Sequence, residues 1–92
     1  MSHEKLYTML LEYKGGTYVS QVSGNTVGVA IKKWAKAVSD QDLESWGLTR
    51  AEVTRLANDN PLPLVDCSNV WCLTDSTKKR LILVNVVATE RQ

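Results

Sequence analysis

The chain has 92 residues, of which 43% are hydrophobic and 23% are charged, and these proportions are typical of a folded globular domain rather than a disordered chain. Eleven Lys and Arg residues nearly balance ten Asp and Glu residues, so the net charge of +1 provides no global attraction to nucleic acid or to an anionic membrane. The length predicts a single domain spanning residues 1–92, in which any binding to a polyanion would have to be local.

Two segments near the amino terminus predict a β-hairpin. Residues 6–13 alternate in polarity and form a half-buried strand. The apolar side of that strand comprises Tyr7, Met9, Leu11 and Tyr13. Gly15 and Gly16 provide the turn, since glycine adopts positive φ without steric cost, and residues 17–23 return as a second strand. The second strand is the more polar of the two, which is typical of the edge of a sheet.

A complete amphipathic helical pattern extends from Asn25 to Ser39. Its apolar side consists of Val27, Ala30, Ile31, Trp34, Ala35, Ala37 and Val38. Lys32, Lys33 and Lys36 fall on the opposite side. Trp34 therefore belongs to the core rather than to a surface that stacks on bases.

Two shorter helices follow the long one. Residues 39–47 predict one of them, and residues 50–58 predict the other. Thr49 and Glu52 form a capping box at the start of the second. This last helix resembles the first helix of a helix-turn-helix DNA reader, but residues 59–63 include two prolines and cannot supply the recognition helix.

The carboxy-terminal part of the chain is rich in strand signals. Residues 64–73 contain one or two short strand-like runs, and residues 75–79 form a polar turn. Residues 80–89 are the most strand-like segment of the chain, and they are apolar on both sides, as in a central strand.

The predicted order of elements is therefore β-β-α-(α)-α-β-β. This order predicts an α+β fold, namely an antiparallel β-sheet with helices packed on one face. The other face of the sheet is then either exposed or paired with a second subunit, and we expect a homodimer.

Residues that usually perform catalysis are sparse. The single histidine, His3, lies near the chain terminus, which argues against a nucleophile activated by a firmly held histidine. Cys67 and Cys72 are expected to be reduced, buried or half-buried strand thiols, because two cysteines without further ligands cannot complete a four-coordinate zinc site. We therefore expect no catalytic residue, no metal and no cofactor.

An acidic cluster lies at residues 40–44. Asp40 and Glu44 would share one side of a helix and could hold a divalent cation together with water. Asp40 and Asp42 also stand at the amino terminus of a predicted helix, where carboxylates stabilise the helix dipole, and this second role is the one we favour. The glycines are not followed by the Lys-Ser or Lys-Thr of a phosphate-binding loop.

Two groups of basic residues are the features that could bind nucleic acid. They are Lys32, Lys33 and Lys36 on the amphipathic helix, and Lys78, Lys79 and Arg80 beside the predicted turn. Together they could contact phosphates of RNA or DNA. A solvated lysine surface is the more common role of such a pattern.

The run Gly15-Gly16-Thr17-Tyr18-Val19, followed by Gly24-Asn25-Thr26 and Ala30, resembles the HicB-like antitoxin family. In that family a hairpin turns at a glycine-rich point beside an aromatic residue, and a Gly-Asp-Thr or Gly-Asn-Thr motif caps an amphipathic helix. The resemblance extends to about residue 40. It implies a small partner-binding protein whose sheet and hairpin meet a toxin-like ribonuclease.

The chain also departs from the family pattern. The Pro-Gly segment that usually precedes the capping motif is absent, and Gly28 and Val29 stand where the family has acidic residues. The usual carboxy-terminal DNA-binding element is not visible in residues 40–92. The resemblance therefore implies the fold of the first half more directly than it implies the partner.

These observations predict a small non-catalytic protein that binds a protein partner, in the manner of an antitoxin, and forms a homodimer. One alternative is an RNA- or DNA-binding module that uses the two basic groups. Another is a small enzyme whose site forms between subunits and includes Cys67 or the acidic cluster. The first residues lack the apolar core of a signal peptide and the longest apolar run, residues 81–88, is too short to cross a bilayer, so we expect a cytoplasmic protein without membrane contact.

Overall fold

The computed structural model describes residues 4–77 and 80–89. The strands are β1 (Lys5–Tyr13), β2 (Gly16–Gly24), β3 (Leu62–Pro63), β4 (Val70–Thr77) and β5 (Arg80–Thr89). The helices are α1 (Val27–Ala37), α2 (Asp40–Trp46) and α3 (Arg50–Ala57). His3, Lys78 and Lys79 lie outside the described residues. The predicted α+β fold is confirmed, with one additional short strand, β3.

The strands form one antiparallel sheet of five strands in the order β2-β1-β5-β4-β3. β5 is the middle strand, which explains why it is apolar on both sides and confirms its interpretation as a central strand. β2 lies at one edge of the sheet, as its polarity predicts, and β3 lies at the other.

The turn of the hairpin lies one residue earlier than the glycine pair predicts. Lys14 and Gly15 form it, with φ angles of 51° and 78°, and Gly16 is already the first residue of β2. Two consecutive residues with positive φ are characteristic of a two-residue hairpin loop, whose backbone twist matches that of the flanking strands. The turn pairs Tyr13 with Gly16 and thereby sets the register of β1 against β2.

The helices and one face of the sheet enclose the core. The sheet side of this core includes the four predicted β1 residues, Tyr7, Met9, Leu11 and Tyr13. On α1 the buried residues are Ala30, Ile31, Trp34 and Ala35. Gly24, the last residue of β2, allows α1 to approach closely, because a Cβ atom on Gly24 would lie 2.8 Å from the backbone nitrogen of Ala30.

Side chains and one glycine define the ends of the helices. Thr26 caps α1 by accepting a hydrogen bond from a backbone N–H of its first turn. Ser39 caps α2, and Gly47 ends it in the left-handed conformation. Thr49 and Glu52 form the predicted capping box at the start of α3.

The last part of the sheet differs from the sequence prediction in two places. Residues 64–69 form a loop, and β4 begins only at Val70. Asp75 and Ser76, which the sequence places in a polar turn, belong to β4 and pair with β5. These polar residues are in a strand because their backbones pair with Leu81 and Ile82 of β5, and Arg55 of α3 binds the Asp75 side chain.

Candidate interaction surfaces

The face of the sheet opposite the helices is called the open face. Side chains alternate along each strand, so the strand residues between the buried ones point to this face. The described side chains of the open face are Leu6, Thr8, Leu10 and Glu12 of β1; Thr17, Val19, Gln21 and Ser23 of β2; Leu62 of β3; Val70, Cys72, Thr74 and Ser76 of β4; and Leu81, Leu83, Asn85, Val87 and Thr89 of β5. Glu12 is the only charged residue among them. Charged residues are depleted in the same way at the centres of protein interfaces.

One row of side chains crosses every strand of the open face at a single register: Val19, Leu10, Asn85, Cys72 and Leu62. Both ends of the row are exposed aliphatic residues, with 63% of Val19 and 66% of Leu62 accessible to solvent. Leu81 of β5 is a third, at 60%. Exposed aliphatic side chains therefore stand at both edges of this face and near one end of its middle strand.

The edge of the sheet at β4 is closed by other parts of the chain. β3, which contains a proline, pairs with Trp71 and Cys72 near the start of β4, and the Leu64 backbone N–H donates to the Val70 carbonyl at 3.1 Å. Farther along, the Ser76 backbone N–H donates to Asp75 Oδ1 at 2.8 Å. The Ser76 carbonyl accepts from Arg55 Nη2 at 3.2 Å. Outward backbone groups at both ends of β4 are thus satisfied within the chain, which protects this edge from pairing with another strand.

Arg55 and Asp75 form the ion pair that contributes to this closure. Arg55 Nε donates to Asp75 Oδ2 at 2.6 Å. This hydrogen bond, assisted by the Ser76 N–H and the guanidinium charge, lowers the pKa of Asp75, and partial burial opposes the shift. The same hydrogen bond raises the pKa of Arg55. Both side chains are therefore charged in the neutral range.

The opposite edge, at β2, has none of these closures from Thr17 to Gln21 among the described residues. β2 extends over nine residues and contains neither a charged residue nor a proline. The two-residue turn makes Tyr13 and Gly16 a hydrogen-bonded pair, so alternate residues beyond Gly16 direct their backbone N–H and C=O groups away from β1. Among these outward residues are Thr17, Val19 and Gln21, whose backbone groups no described residue hydrogen-bonds.

A groove of about 440 Å³ runs along the β2 edge, between β2 and the helices α1 and α2. One wall is aromatic: the rings of Tyr18 and Trp46 stack with centroids 5.2 Å apart. Gly16 leaves room for this stack, because a Cβ atom there would lie 2.6 Å from Tyr18 Oη. Trp34 Nε1 donates to Ser20 Oγ at 3.0 Å and ties α1 to β2 along the groove.

Ala37 and Val38, at the end of α1, extend the apolar wall of the groove. The helical pattern predicts that Ala37 is buried, and this prediction is wrong. Ala37 is exposed because its side of α1 faces the free edge of the sheet, where no further described strand covers it. Asp42 of α2 is the charged residue that lines the groove, and α2 as a whole contains acidic but no basic residues. The groove therefore combines an apolar wall with negative charge.

The predicted nucleic-acid residues lie on two different layers of the fold. Lys32 and Lys36 are exposed and line one shallow cavity between α1 and α3. Lys33 Nζ forms an ion pair with Glu4 Oε2 at 3.1 Å. Arg80 is the first residue of β5 in the sheet, and the two lysines before it lie outside the described residues. Of the three lysines of α1, Lys33 is thus ion-paired, while Lys32 and Lys36 line the cavity.

The cysteines and the acidic cluster also have defined positions. Cys67 is exposed in the loop before β4 rather than in a strand, so the prediction of a buried or half-buried strand thiol is wrong for it. Cys72 is half-buried on the open face, and both thiols are free. Asp40 pairs with Arg50 Nη2 at 3.0 Å. In residues 4–77 and 80–89, no group of three or more potential ligands is arranged to hold a metal ion.

Comparisons with protein families, with curated proteins and with solved structures find no match to this chain. No helix in the described part of the chain is long and apolar enough to cross a membrane. The open face and the β2 edge are the two surfaces whose chemistry indicates a binding role.

Proposed function

We propose that this chain is a small non-catalytic interaction protein that assembles as a homodimer through the open face of its sheet. The observation that carries the proposal is the composition of that face, on which Glu12 is the only charged residue among the described side chains. An antiparallel sheet with one solvated face normally carries polar and charged residues on it. Aliphatic residues in these positions are stabilised when a second sheet packs on them.

The size of the open face supports a second copy as its occupant. Four strands of eight to ten residues and one strand of two residues, about 4.8 Å apart and rising about 3.3 Å per residue, give a face of roughly 600 Å². Two such faces would bury roughly 1,200 Å², which is at the lower end of the range of a specific, stable interface. A two-fold axis parallel to the row from Val19 to Leu62 would place Leu10 of each copy opposite Leu10 of the other.

The resemblance to HicB-like antitoxins and the cytoplasmic location stay predictions. The resemblance agrees with the proposal in one respect, because it also implies a protein partner rather than a catalysed reaction. The exposed pair Lys32 and Lys36 gives the nucleic-acid alternative less support than the sequence pattern suggests, since Lys33 is ion-paired to Glu4. Binding of a protein partner therefore accounts for the described surface better than binding of nucleic acid does.

The test is the solution mass of the pure chain by light scattering over a range of concentrations. We expect a dimer for the natural chain and a monomer for Leu10→Lys, because the dimer would bury two unpaired ammonium groups at its centre. In a monomer the lysine stem still covers the neighbours of Leu10 while the charged group reaches water. The dimer dissociation constant should rise at least about a hundredfold, which corresponds to roughly 2.7 kcal/mol.

Val29→Lys is the matched control, because Val29 is an exposed valine on the outer side of α1, away from the sheet. This variant should remain a dimer. Leu81→Lys, at a position 60% exposed, gives a second test in which the core is not touched. A natural chain that is monomeric at all concentrations, or a folded Leu10→Lys that remains dimeric, would overturn the proposal.

A further inference from the structure

We propose that the free edge of β2 and the adjoining groove bind an extended, basic segment of a partner protein, which adds to the sheet as a further strand. The site consists of the outward backbone groups of β2, the aromatic wall and Asp42. It is separate from the open face, because two stacked sheets leave the edges of both sheets accessible.

The contrast between the two edges is the first argument. Natural sheets protect their edges with short strands, prolines and charged side chains. The β4 edge has all three protections. The strand that covers it, β3, is only two residues long and contains Pro63, and Arg55 and Asp75 place charged side chains beside β4. β2 has none of them over nine residues. One edge is thus closed and the other is left available for strand addition.

The backbone of β2 is the second argument, because it determines the conformation of the ligand. Thr17, Val19 and Gln21 present N–H and C=O groups outward in a regular repeat. An extended segment can satisfy these groups in alternation, whereas a helix has its backbone groups already occupied. The ligand is therefore an extended polypeptide.

The groove wall is the third argument, because it determines the side chains on one face of the ligand. Every second side chain of an added strand would point toward the stacked rings of Tyr18 and Trp46, the Trp34 side chain and Ala37. These positions of the ligand are aliphatic or aromatic. The wall is held in place before binding by the hydrogen bond from Trp34 to Ser20, which reduces the ordering cost of association.

Charge is the fourth argument, and it distinguishes a partner from a second copy. Asp42 lines the groove on an acidic helix, so a lysine or arginine in the bound segment would meet an opposite charge. β2 itself contains no basic residue, so the β2 strand of a second copy would offer Asp42 no cation. The ligand is therefore a basic segment of another protein rather than the β2 strand of a second copy.

Amide hydrogen exchange of the full chain tests the free edge directly. We expect the outward amides of Thr17, Val19 and Gln21 to exchange rapidly, and the inward amides of Tyr18, Ser20 and Val22 to be protected by pairing with β1. Protection of both sets in the isolated protein would show that the edge is already filled by a second copy, and this result would overturn the proposal.

Selection of binders from a displayed library of random dodecapeptides tests the ligand. We expect the enriched peptides to have apolar residues at alternate positions and at least one lysine or arginine. Binding should then protect the outward amides of β2 from exchange. Methylation of the peptide N–H groups that face β2 should abolish binding, whereas methylation of the alternate N–H groups, which face away from β2, should not. Failure to enrich any such peptide would overturn the proposal.

Two variants locate the peptide on β2. Val19→Pro removes one outward N–H without breaking the β1 ladder, and proline is tolerated at sheet edges, so binding should fall about tenfold or more with the fold intact. Asp42→Asn should reduce binding only about two- to fivefold, as expected for an exposed ion pair, and should remove the preference for a basic residue. Unchanged binding by Val19→Pro would place the peptide elsewhere and refute the site.

Leu10→Lys separates this inference from the proposed homodimer. The variant alters the open face and leaves the β2 edge unchanged, so it should bind the selected peptides as tightly as the natural chain does. Loss of peptide binding together with loss of the dimer would show that the site requires both copies, and would overturn the assignment to a single β2 edge.

Discussion

Arg55 on α3 and Asp75 on β4 are joined by a hydrogen bond of 2.6 Å between Nε and Oδ2, and this contact closes one edge of the sheet. The same guanidinium also binds the Ser76 carbonyl, and the same carboxylate accepts the Ser76 N–H. The two residues of this ion pair therefore satisfy both the N–H and the carbonyl of Ser76, which point outward from β4. From Thr17 to Gln21 the β2 edge has no equivalent among the described residues, and this difference is the basis of the strand addition proposed there.

The Arg55–Asp75 pair predicts a dependence of stability on pH. The pKa of Asp75 is lowered in the folded chain, so its ionised form stabilises the fold above the unfolded pKa of about 4. That contribution is lost as the pH falls through the lower, folded pKa. Asp75→Asn should therefore lower the melting temperature near neutral pH, and the difference from the natural chain should shrink below about pH 4.

Thermal unfolding followed by circular dichroism between acidic and neutral pH measures this difference. Glu44→Gln is the control, because Glu44 is an exposed carboxylate on α2 that lies away from β4. Its effect on the melting temperature should be small at every pH. A constant difference between Asp75→Asn and the natural chain would show that the ionisation of Asp75 does not contribute to folding.

The hydrogen bond between Trp34 and Ser20 predicts a cost for removing the hydroxyl. Trp34 is 3% exposed, and Ser20→Ala leaves its indole N–H without this protein acceptor. The free energy of unfolding should fall by about 1 to 3 kcal/mol. Urea denaturation measures it, with Ser45→Ala on the exposed side of α2 as the control. Equal stability of the two variants would mean that the hydrogen bond from Trp34 to Ser20 does not contribute to the free energy of unfolding.

Two glycines predict opposite effects of the same substitution. A Cβ atom on Gly24 would lie 2.8 Å from the Ala30 backbone nitrogen, so Gly24→Ala must displace α1 from the end of β2. Overpacking of this kind costs about 1 to 3 kcal/mol. Gly28 is in the first turn of α1, and a Cβ atom there would meet no neighbouring atom within 4 Å, so Gly28→Ala should stabilise the fold by up to about 1 kcal/mol. Urea denaturation measures the free energy of unfolding of both variants, and equal changes in the two would contradict the prediction.

Local signals in the sequence were sufficient to predict most of the fold. Alternating apolar residues indicate β1, the Thr49 and Glu52 pair indicates the start of α3, and each of these patterns depends on neighbours a few residues apart. The errors occur where a distant residue decides the outcome. Asp75 lies in a strand rather than a turn, where it pairs with Ile82 of β5 and where Arg55, far away in sequence, binds its side chain.

The two candidate surfaces differ in how far the sequence predicts them. Once the helices are assigned to one face, the alternation of side chains along each strand determines which of them form the open face. The sequence analysis also predicts that a second subunit could pack on that face. The groove is different, because the contact between Tyr18 and Trp46 depends on the angle at which α2 leaves α1. Sequence patterns identify β2 as an edge strand, but they carry no information on that angle.

The lysines of α1 give a final prediction, which separates a protein-binding role from nucleic-acid binding. All three lysines of α1 are exposed, but Lys33 is ion-paired to Glu4, which leaves Lys32 and Lys36, and two cations neutralise only about two phosphates. The chain should therefore bind mixed short RNA weakly even at low salt, and Lys32→Glu with Lys36→Glu should leave its solution mass unchanged. Light scattering with and without RNA, at two salt concentrations, checks both expectations, with Lys5→Glu at the start of β1 as the control. A salt-sensitive gain in mass with RNA that disappears in the double variant, but persists in the control, would favour the nucleic-acid module over the proposed interaction protein.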